Sequence, residues 1–89
     1  MEPEKEINQY RSEIDLIDQE IMQLLCKRFK VVSKIAKTKK NLGIDIEDVA
    51  REEDVLANWR KETKNDLDDD FLEQFKTLIL KQSKKIQRI

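Results

Sequence analysis

The sequence is poor in the residues that build metal centres, cofactor sites and β-sheets. Its 89 residues contain no histidine, one cysteine, one glycine and one proline, and 6% are aromatic. With no histidine and a single cysteine, the standard zinc sites, haem ligation and a Ser-His-Asp triad cannot be assembled. We therefore expect no metal and no cofactor. The lone Cys26 has no internal disulfide partner, which indicates a reducing compartment, the cytoplasm.

Long apolar runs and an excess of one charge are also missing. No run approaches the roughly 18 to 20 apolar residues that a membrane span needs, and Met1 to Lys5 lack the apolar core of a secretory signal. Lys and Arg number 18 against 19 Asp and Glu, so the chain has no bulk positive charge to attract nucleic acid or anionic lipid. We expect neither nucleic acid nor a membrane as a partner, and any anion-binding site must be local.

The residues that are present indicate an all-α protein that forms a homodimer. Of the sequence, 42% is charged and 38% hydrophobic, a balance typical of long helices. Apolar residues recur every three or four positions from Ile7 to Ile35, and Gly43 is the first breaker, which predicts one helix of about ten turns. At roughly 50 Å it is too long for the rest of so short a chain to cover its apolar stripe. A second copy is expected to cover it.

Two shorter helices follow the long one. Gly43 supplies the left-handed conformation that ends a helix, and Asp48 is a good N-cap for a second helix that runs to about Thr63. Asp68 is the N-cap of a third helix. With no repeat or linker between them, residues 1–89 are interpreted as a single helical domain.

Arg28 and Lys39 are two cations on one face of the long helix. Arg28 stands where the spacing of the stripe calls for an apolar residue. Lys39 follows eleven residues later, three turns plus about 20°, so both lie on one face roughly 16 Å apart and can close on a small anion. The alternative for Arg28 is a snorkelling or salt-bridged side chain. The other lysines of this run are interpreted as a solvated face: Lys34, Lys37 and Lys40.

Carboxylates interrupt the second helix in a similar way. Asp48 and Glu52 lie at i and i+4, in line with the apolar stripe of that helix. The alternative is that Asp48 only caps the helix and that Glu52 forms a structural bridge with Arg28 or Arg51.

On the third helix, Ser83 and Gln87 continue the ridge of Ile79 with polar side chains. A solvated helix end is the alternative for Gln87.

Arg11 precedes Arg28 by seventeen residues, which is roughly 25 Å along the helix and a rotation of about 100°. It therefore cannot share a pocket with Arg28 of the same chain. It can reach one only from a second copy packed antiparallel across a twofold axis. Cys26 is predicted to be a small core residue, and Trp59 an aromatic anchor of the core.

Five segments, read in order, resemble the all-helical chorismate mutases of the AroQ class. They are Arg11–Asp18, Leu24–Arg28, Ile35–Lys39, Asp48–Glu52 and Ser83–Gln87. The similarity covers nearly the whole chain. It implies an intertwined helical homodimer that converts chorismate to prephenate in the biosynthesis of phenylalanine and tyrosine.

The resemblance also implies a role for each candidate residue. Arg28 and Arg11 from the partner would hold the two carboxylates of the substrate, with Ser83 assisting. Lys39 and Gln87 would donate hydrogen bonds to the ether oxygen. Asp48 and Glu52 would lie near the substrate hydroxyl. Arg51 would line the same pocket.

The reaction suits this set of side chains, because the [3,3] rearrangement of an enol ether is unimolecular and needs neither nucleophile nor general base. Two other functions stay open. Related helical proteins are isochorismate-pyruvate lyases, and a non-catalytic dimerisation or regulatory module would use Arg28 and Glu52 as a buried bridge. Docking to another enzyme of the shikimate pathway is also left open.

The resemblance generates a prediction about pH. A glutamine amide remains a hydrogen-bond donor at any ordinary pH, whereas family members with glutamate at the matching position need it protonated. We therefore expect the rate of prephenate formation to be nearly constant from mildly acidic to mildly alkaline pH. A sharp loss of rate above neutrality would contradict the role of Gln87.

Overall fold

Residues 2–88 are described by a computed structural model and form three α-helices without a β-strand. Helix α1 is Pro3–Leu42, α2 is Val49–Thr63 and α3 is Asp69–Gln87. The all-helical class is confirmed, as are the predicted ends of α1 and α2. Helix α1 begins earlier than expected from its apolar stripe, because Pro3 suits the first position of a helix, where its missing N–H costs nothing.

The chain divides into two compact units, and the boundary between Val31 and Val32 falls inside α1. The prediction of a single domain therefore stays a prediction. Among the described residues of the first unit, Pro3 to Val31 are helical, and none of the described residues of α1 is buried. Its apolar stripe is between 43% and 62% exposed, over Ile7, Tyr10, Ile14, Ile17, Ile21 and Leu24. The prediction of Cys26 as a core residue is wrong for this chain, since the side chain is exposed.

The core of the second unit lies between α2 and α3, which pack against each other. Val55 and Leu56 of α2 and Leu72 and Ile79 of α3 are its buried apolar residues. Burial of each such side chain contributes about 1.5–3 kcal/mol. None of the helices within residues 2–88 combines the length and the apolar character needed to cross a membrane.

Aromatic rings extend this core toward the turn between α2 and α3. The ring centroids of Trp59 and Phe75 lie 5.3 Å apart in a tilted arrangement, and those of Phe71 and Phe75 lie 5.9 Å apart. Trp59 is half-buried. Its predicted role as an aromatic anchor is confirmed.

Gly43 ends α1 as the sequence predicts. Its φ of 68° lies in the left-handed region, which a glycine adopts without steric cost. The N–H of Ile44 donates to the carbonyl of Lys39 at 2.9 Å, and the N–H of Gly43 donates to the carbonyl of Lys40 at 3.3 Å. This pair of hydrogen bonds is a Schellman motif, and it satisfies two carbonyls at the helix end.

Aspartates begin the other two helices, also as predicted. A carboxylate oxygen of Asp48 accepts a hydrogen bond from the N–H of Arg51 at 3.0 Å, and one of Asp68 accepts from the N–H of Phe71 at 2.8 Å. Each side chain satisfies one of the N–H groups that a helix start leaves unpaired. Helix α2 ends at Thr63 and is followed by the C-cap Lys64, whose φ of 48° is left-handed.

An ion pair joins the end of α2 to the start of α3. The guanidinium of Arg60 donates to both carboxylate oxygens of Asp69, with Nε–Oδ1 at 2.7 Å and Nη2–Oδ2 at 3.1 Å. Glu73 lies 3.6 Å from the same guanidinium. The hydrogen bond from Arg60 lowers the pKa of Asp69, and the same bond raises the pKa of Arg60.

This pair predicts an acid-dependent contribution to stability. The folded-state pKa of Asp69 lies below its ordinary value of 3.8, so the contribution is present above that pH and is lost as pH falls through the folded value. We expect Asp69→Asn to lower the melting temperature at neutral pH, because it removes the ion pair with Arg60. The decrease should be only a few degrees, because the pair is exposed to solvent. The difference from the wild type should shrink as pH falls below 3.8 and through the folded-state pKa of Asp69.

Asp70→Asn is the matched control, because Asp70 is exposed and lies in the same first turn of α3. Thermal scans at one protein concentration measure all three proteins. A difference between wild type and Asp69→Asn that stays constant down to pH 2 would contradict the assignment.

Candidate functional site

The candidate residues are divided between the two units of the chain. Arg11 and Arg28 belong to the first unit, where Arg11 is exposed and Arg28 is half-buried. The other six belong to the second unit: Lys39, Asp48, Arg51, Glu52, Ser83 and Gln87. The geometry of the site is therefore described from the second unit.

Lys39 differs from the other lysines around it. Its side chain is half-buried, and its ammonium Nζ donates to the carbonyl of Ile46 at 3.2 Å. An ammonium has three N–H donors, so this single bond leaves donors for a bound anion. The predicted solvated face is confirmed, because its three lysines are exposed: Lys34, Lys37 and Lys40.

Asp48 caps α2, which is the structural role considered from the sequence. The cap uses one acceptor position of a carboxylate that offers about four, so the side chain can still accept a hydrogen bond from a ligand hydroxyl. The backbone N–H of Arg51 is the donor in this cap, and Arg51 is exposed to solvent. Arg51 therefore lies in the first turn of α2 with its side chain accessible to a ligand.

Glu52 forms an ion pair that links α2 to α3. The ammonium of Lys84 lies 3.1 Å from Oε1 of Glu52 and 3.5 Å from Oε1 of Glu47. The side chains of Glu52 and Lys84 are 24% and 28% exposed, whereas that of Glu47 is 54% exposed. The hydrogen bond to Glu52 is the main reason that the pKa of Lys84 is raised, and burial opposes it.

The sequence did not predict the contact of Lys84 with Glu52, for which Arg28 and Arg51 were the expected partners. No local pattern identifies it, because the contact joins two helices that are far apart in sequence. The available hint is its position three residues before Gln87, which places both side chains on neighbouring parts of one helix face.

Ser83 and Gln87 continue the inward-facing ridge of α3, as predicted. Ser83 is buried, and its hydroxyl donates to the carbonyl of Ile79 at 2.8 Å. Gln87 is half-buried, and its Oε1 is buried without a hydrogen-bond partner among residues 2–88. The alternative of a solvated end for Gln87 is therefore wrong. A buried amide oxygen is normally paired, so Gln87 has polar capacity that the helices do not use.

These contacts bring four segments of the second unit together. Lys39 binds the loop at Ile46, the neighbouring Glu47 binds Lys84, and Lys84 also binds Glu52. The end of α1, the loop after it, the first turn of α2 and the last turns of α3 are thereby connected. Within residues 2–88, no cluster of three His, Cys, Asp or Glu side chains is arranged to hold a metal ion.

The fold and these side chains define an all-helical protein whose candidate site combines ammonium and guanidinium groups with carboxylates and an amide. The chain belongs to the chorismate mutase type II family, whose model matches residues 10–88. The resemblance read from the sequence is thus confirmed.

Three curated relatives are similar to this chain. The bifunctional chorismate mutase/prephenate dehydratase of Buchnera aphidicola subsp. Schizaphis graminum is 36% identical over 86 residues, which cover 93% of this chain and 22% of the relative. The T-protein of Haemophilus influenzae is 39% identical over 70 residues, 73% of this chain and 19% of the relative. The T-protein of Enterobacter agglomerans is 35% identical over 57 residues, which cover 64% of this chain and 15% of the relative. The chain spans about a fifth of the length of these relatives.

Proposed function

We propose that this chain is a chorismate mutase that rearranges chorismate to prephenate in the biosynthesis of phenylalanine and tyrosine. The observation that carries the proposal is the family match, because residues 10–88 include every candidate residue from Arg11 to Gln87. The proposed location is the cytoplasm, where the exposed thiol of Cys26 stays reduced. Docking to a second enzyme of the pathway stays a prediction.

The proposed substrate is a dianion with two carboxylates, an enol ether and a hydroxyl. Arg28 and Arg11 from a second copy bind the carboxylates, because planar guanidinium groups match carboxylates in paired hydrogen bonds. Ser83 assists at one carboxylate, and Arg51 lines the pocket. Glu52 and Asp48 lie near the substrate hydroxyl, whose single O–H donates to one of the two carboxylates at an acceptor position that the structural contacts leave.

Catalysis in this proposal combines clamping with electrostatic stabilisation. The substrate rearranges only from a compact conformation in which the two ends of its new C–C bond are close, so groups that hold both carboxylates raise the population of that conformation. Negative charge grows on the ether oxygen as the C–O bond breaks. Lys39 and Gln87 donate hydrogen bonds to that oxygen, and partial burial strengthens the attraction by Lys39.

The proposed enzyme is a homodimer. Support comes from the apolar stripe of α1, which is exposed from Ile7 to Leu24, because contiguous apolar surface on a protein is typically a site of association. A second α1, packed antiparallel across a twofold axis, covers this stripe and is the only source from which Arg11 can reach the site of Arg28. Each of the two sites then needs both copies.

The activity is tested by following the conversion of chorismate to prephenate by the purified protein. We expect Lys39→Ala to lower kcat by about 100- to 1000-fold, the usual cost of removing a donor to a developing oxyanion. Lys40→Ala is the control, because Lys40 is the exposed neighbour on the same helix, and its kcat should stay close to that of the wild type. A near wild-type kcat for Lys39→Ala would refute the role of Lys39.

The same preparation is offered isochorismate, and pyruvate release is measured. Faster pyruvate release from isochorismate than prephenate formation from chorismate would favour the lyase over the mutase. Absence of both activities in a folded protein would favour the non-catalytic module.

The shared site predicts complementation between two inactive variants. A mixed dimer of Arg11→Ala and Lys39→Ala chains has one site with both substitutions and one site with neither. Mixing equal amounts after unfolding and refolding together should therefore restore about a quarter of the wild-type activity, because about half of the dimers are mixed. Activity that stays at the level of the separate variants would show that Arg11 and Lys39 act within one chain.

A further inference from the structure

We infer that Lys84 is a positioning residue of the proposed chorismate site: its ammonium fixes the carboxylate of Glu52 and offsets the charges of Glu47 and Glu52, so that the site accepts a dianion. The inference rests on the proposed function. It is carried by the contacts of Lys84, whose Nζ lies 3.1 Å from Glu52 and 3.5 Å from Glu47.

Lys84 fixes the orientation of the Glu52 carboxylate. Lys84 contacts Oε1 of Glu52, and both side chains are about three-quarters buried. A carboxylate held at one oxygen by a cation has a fixed plane, and its second oxygen remains able to accept a hydrogen bond from the substrate hydroxyl. Lys84 touches none of the reacting atoms in this arrangement, so it acts through Glu52.

Lys84 also offsets negative charge beside the proposed site. Glu47 and Glu52 place two negative charges beside a site that must bind two more, and like charges brought together oppose binding. Lys84 lies between them and leaves one net negative charge instead of two. Its position on α3 between Ser83 and Gln87 keeps this positive charge within one turn of both candidate residues.

The test compares Lys84→Met with Lys85→Met in the full chain. Both substitutions remove one positive charge from the same helix, but Lys85 is exposed and is outside the proposed site. We expect Lys84→Met to raise KM for chorismate about three- to tenfold, with a smaller change in kcat, because binding rather than ether-oxygen stabilisation is affected. The increase should shrink at high ionic strength, where the repulsion is screened.

Lys84→Arg provides the rescue, because it keeps the cation, and its KM should return close to that of the wild type. A merely structural role would lower the melting temperature without a KM change that depends on salt. Equal KM values for the two methionine variants, or a Lys84→Met change confined to kcat, would overturn the inference. If the wild type itself forms no prephenate, the proposed function has failed instead, so the two failures are distinguishable.

Glu47→Gln gives a second measurement that does not depend on the folding of Lys84→Met. Glu47 is exposed, so its substitution leaves the core intact. Removal of its charge should lower KM for chorismate about twofold at low ionic strength, because Lys84 then offsets Glu52 alone. An unchanged or increased KM would contradict the role of charge compensation.

Discussion

An apolar stripe on a 40-residue helix must be covered by something, and this requirement governs the molecule. The first unit supplies no second element to cover it, and its stripe is exposed from Ile7 to Leu24. Under the proposed dimer, one interface stabilises α1 and also delivers Arg11 to the site of the other copy. Stability and substrate binding then depend on the same contact, so a dissociated chain lacks part of its site.

The proposed reaction is one that a protein without histidine can catalyse. The rearrangement moves no proton, so under the proposed function the protein needs only to select a conformation and stabilise growing charge. Ammonium, guanidinium and amide groups do both. In the second unit, the carbonyl of Ile46 accepts a hydrogen bond from the ammonium of Lys39, and Asp48 caps the helix that carries Glu52. Such anchoring reduces the reorganisation that binding and catalysis require.

Local signals in the sequence were sufficient to predict the three helices and most of their ends, although α1 begins at Pro3, before its apolar stripe. Gly43, Asp48 and Asp68 stand at helix boundaries because their conformations and hydrogen bonds depend on immediate neighbours. Helical periodicity also separated Lys39 from the solvated lysines and placed Ser83 and Gln87 on the inward ridge of α3. The contact of Lys84 with Glu52 was not predictable in this way, because it depends on how α2 packs on α3. Cys26 was mispredicted for a related reason: periodicity identifies a stripe but not what covers it.

In the proposed site, carboxylates and a dianionic substrate meet at the last turns of α3. A carboxylate that accepts from the substrate hydroxyl improves recognition, but its charge opposes the binding of two further carboxylates. In the role inferred for it, Lys84 reduces that conflict, and Ser83 and Gln87 lie on either side of it in the sequence. One short segment then supplies both a counter-ion and candidate donors. The buried Ile79, one turn before Ser83, fixes this segment against α2. Apolar packing in the second unit therefore sets the positions of the charges on which the proposed chemistry depends.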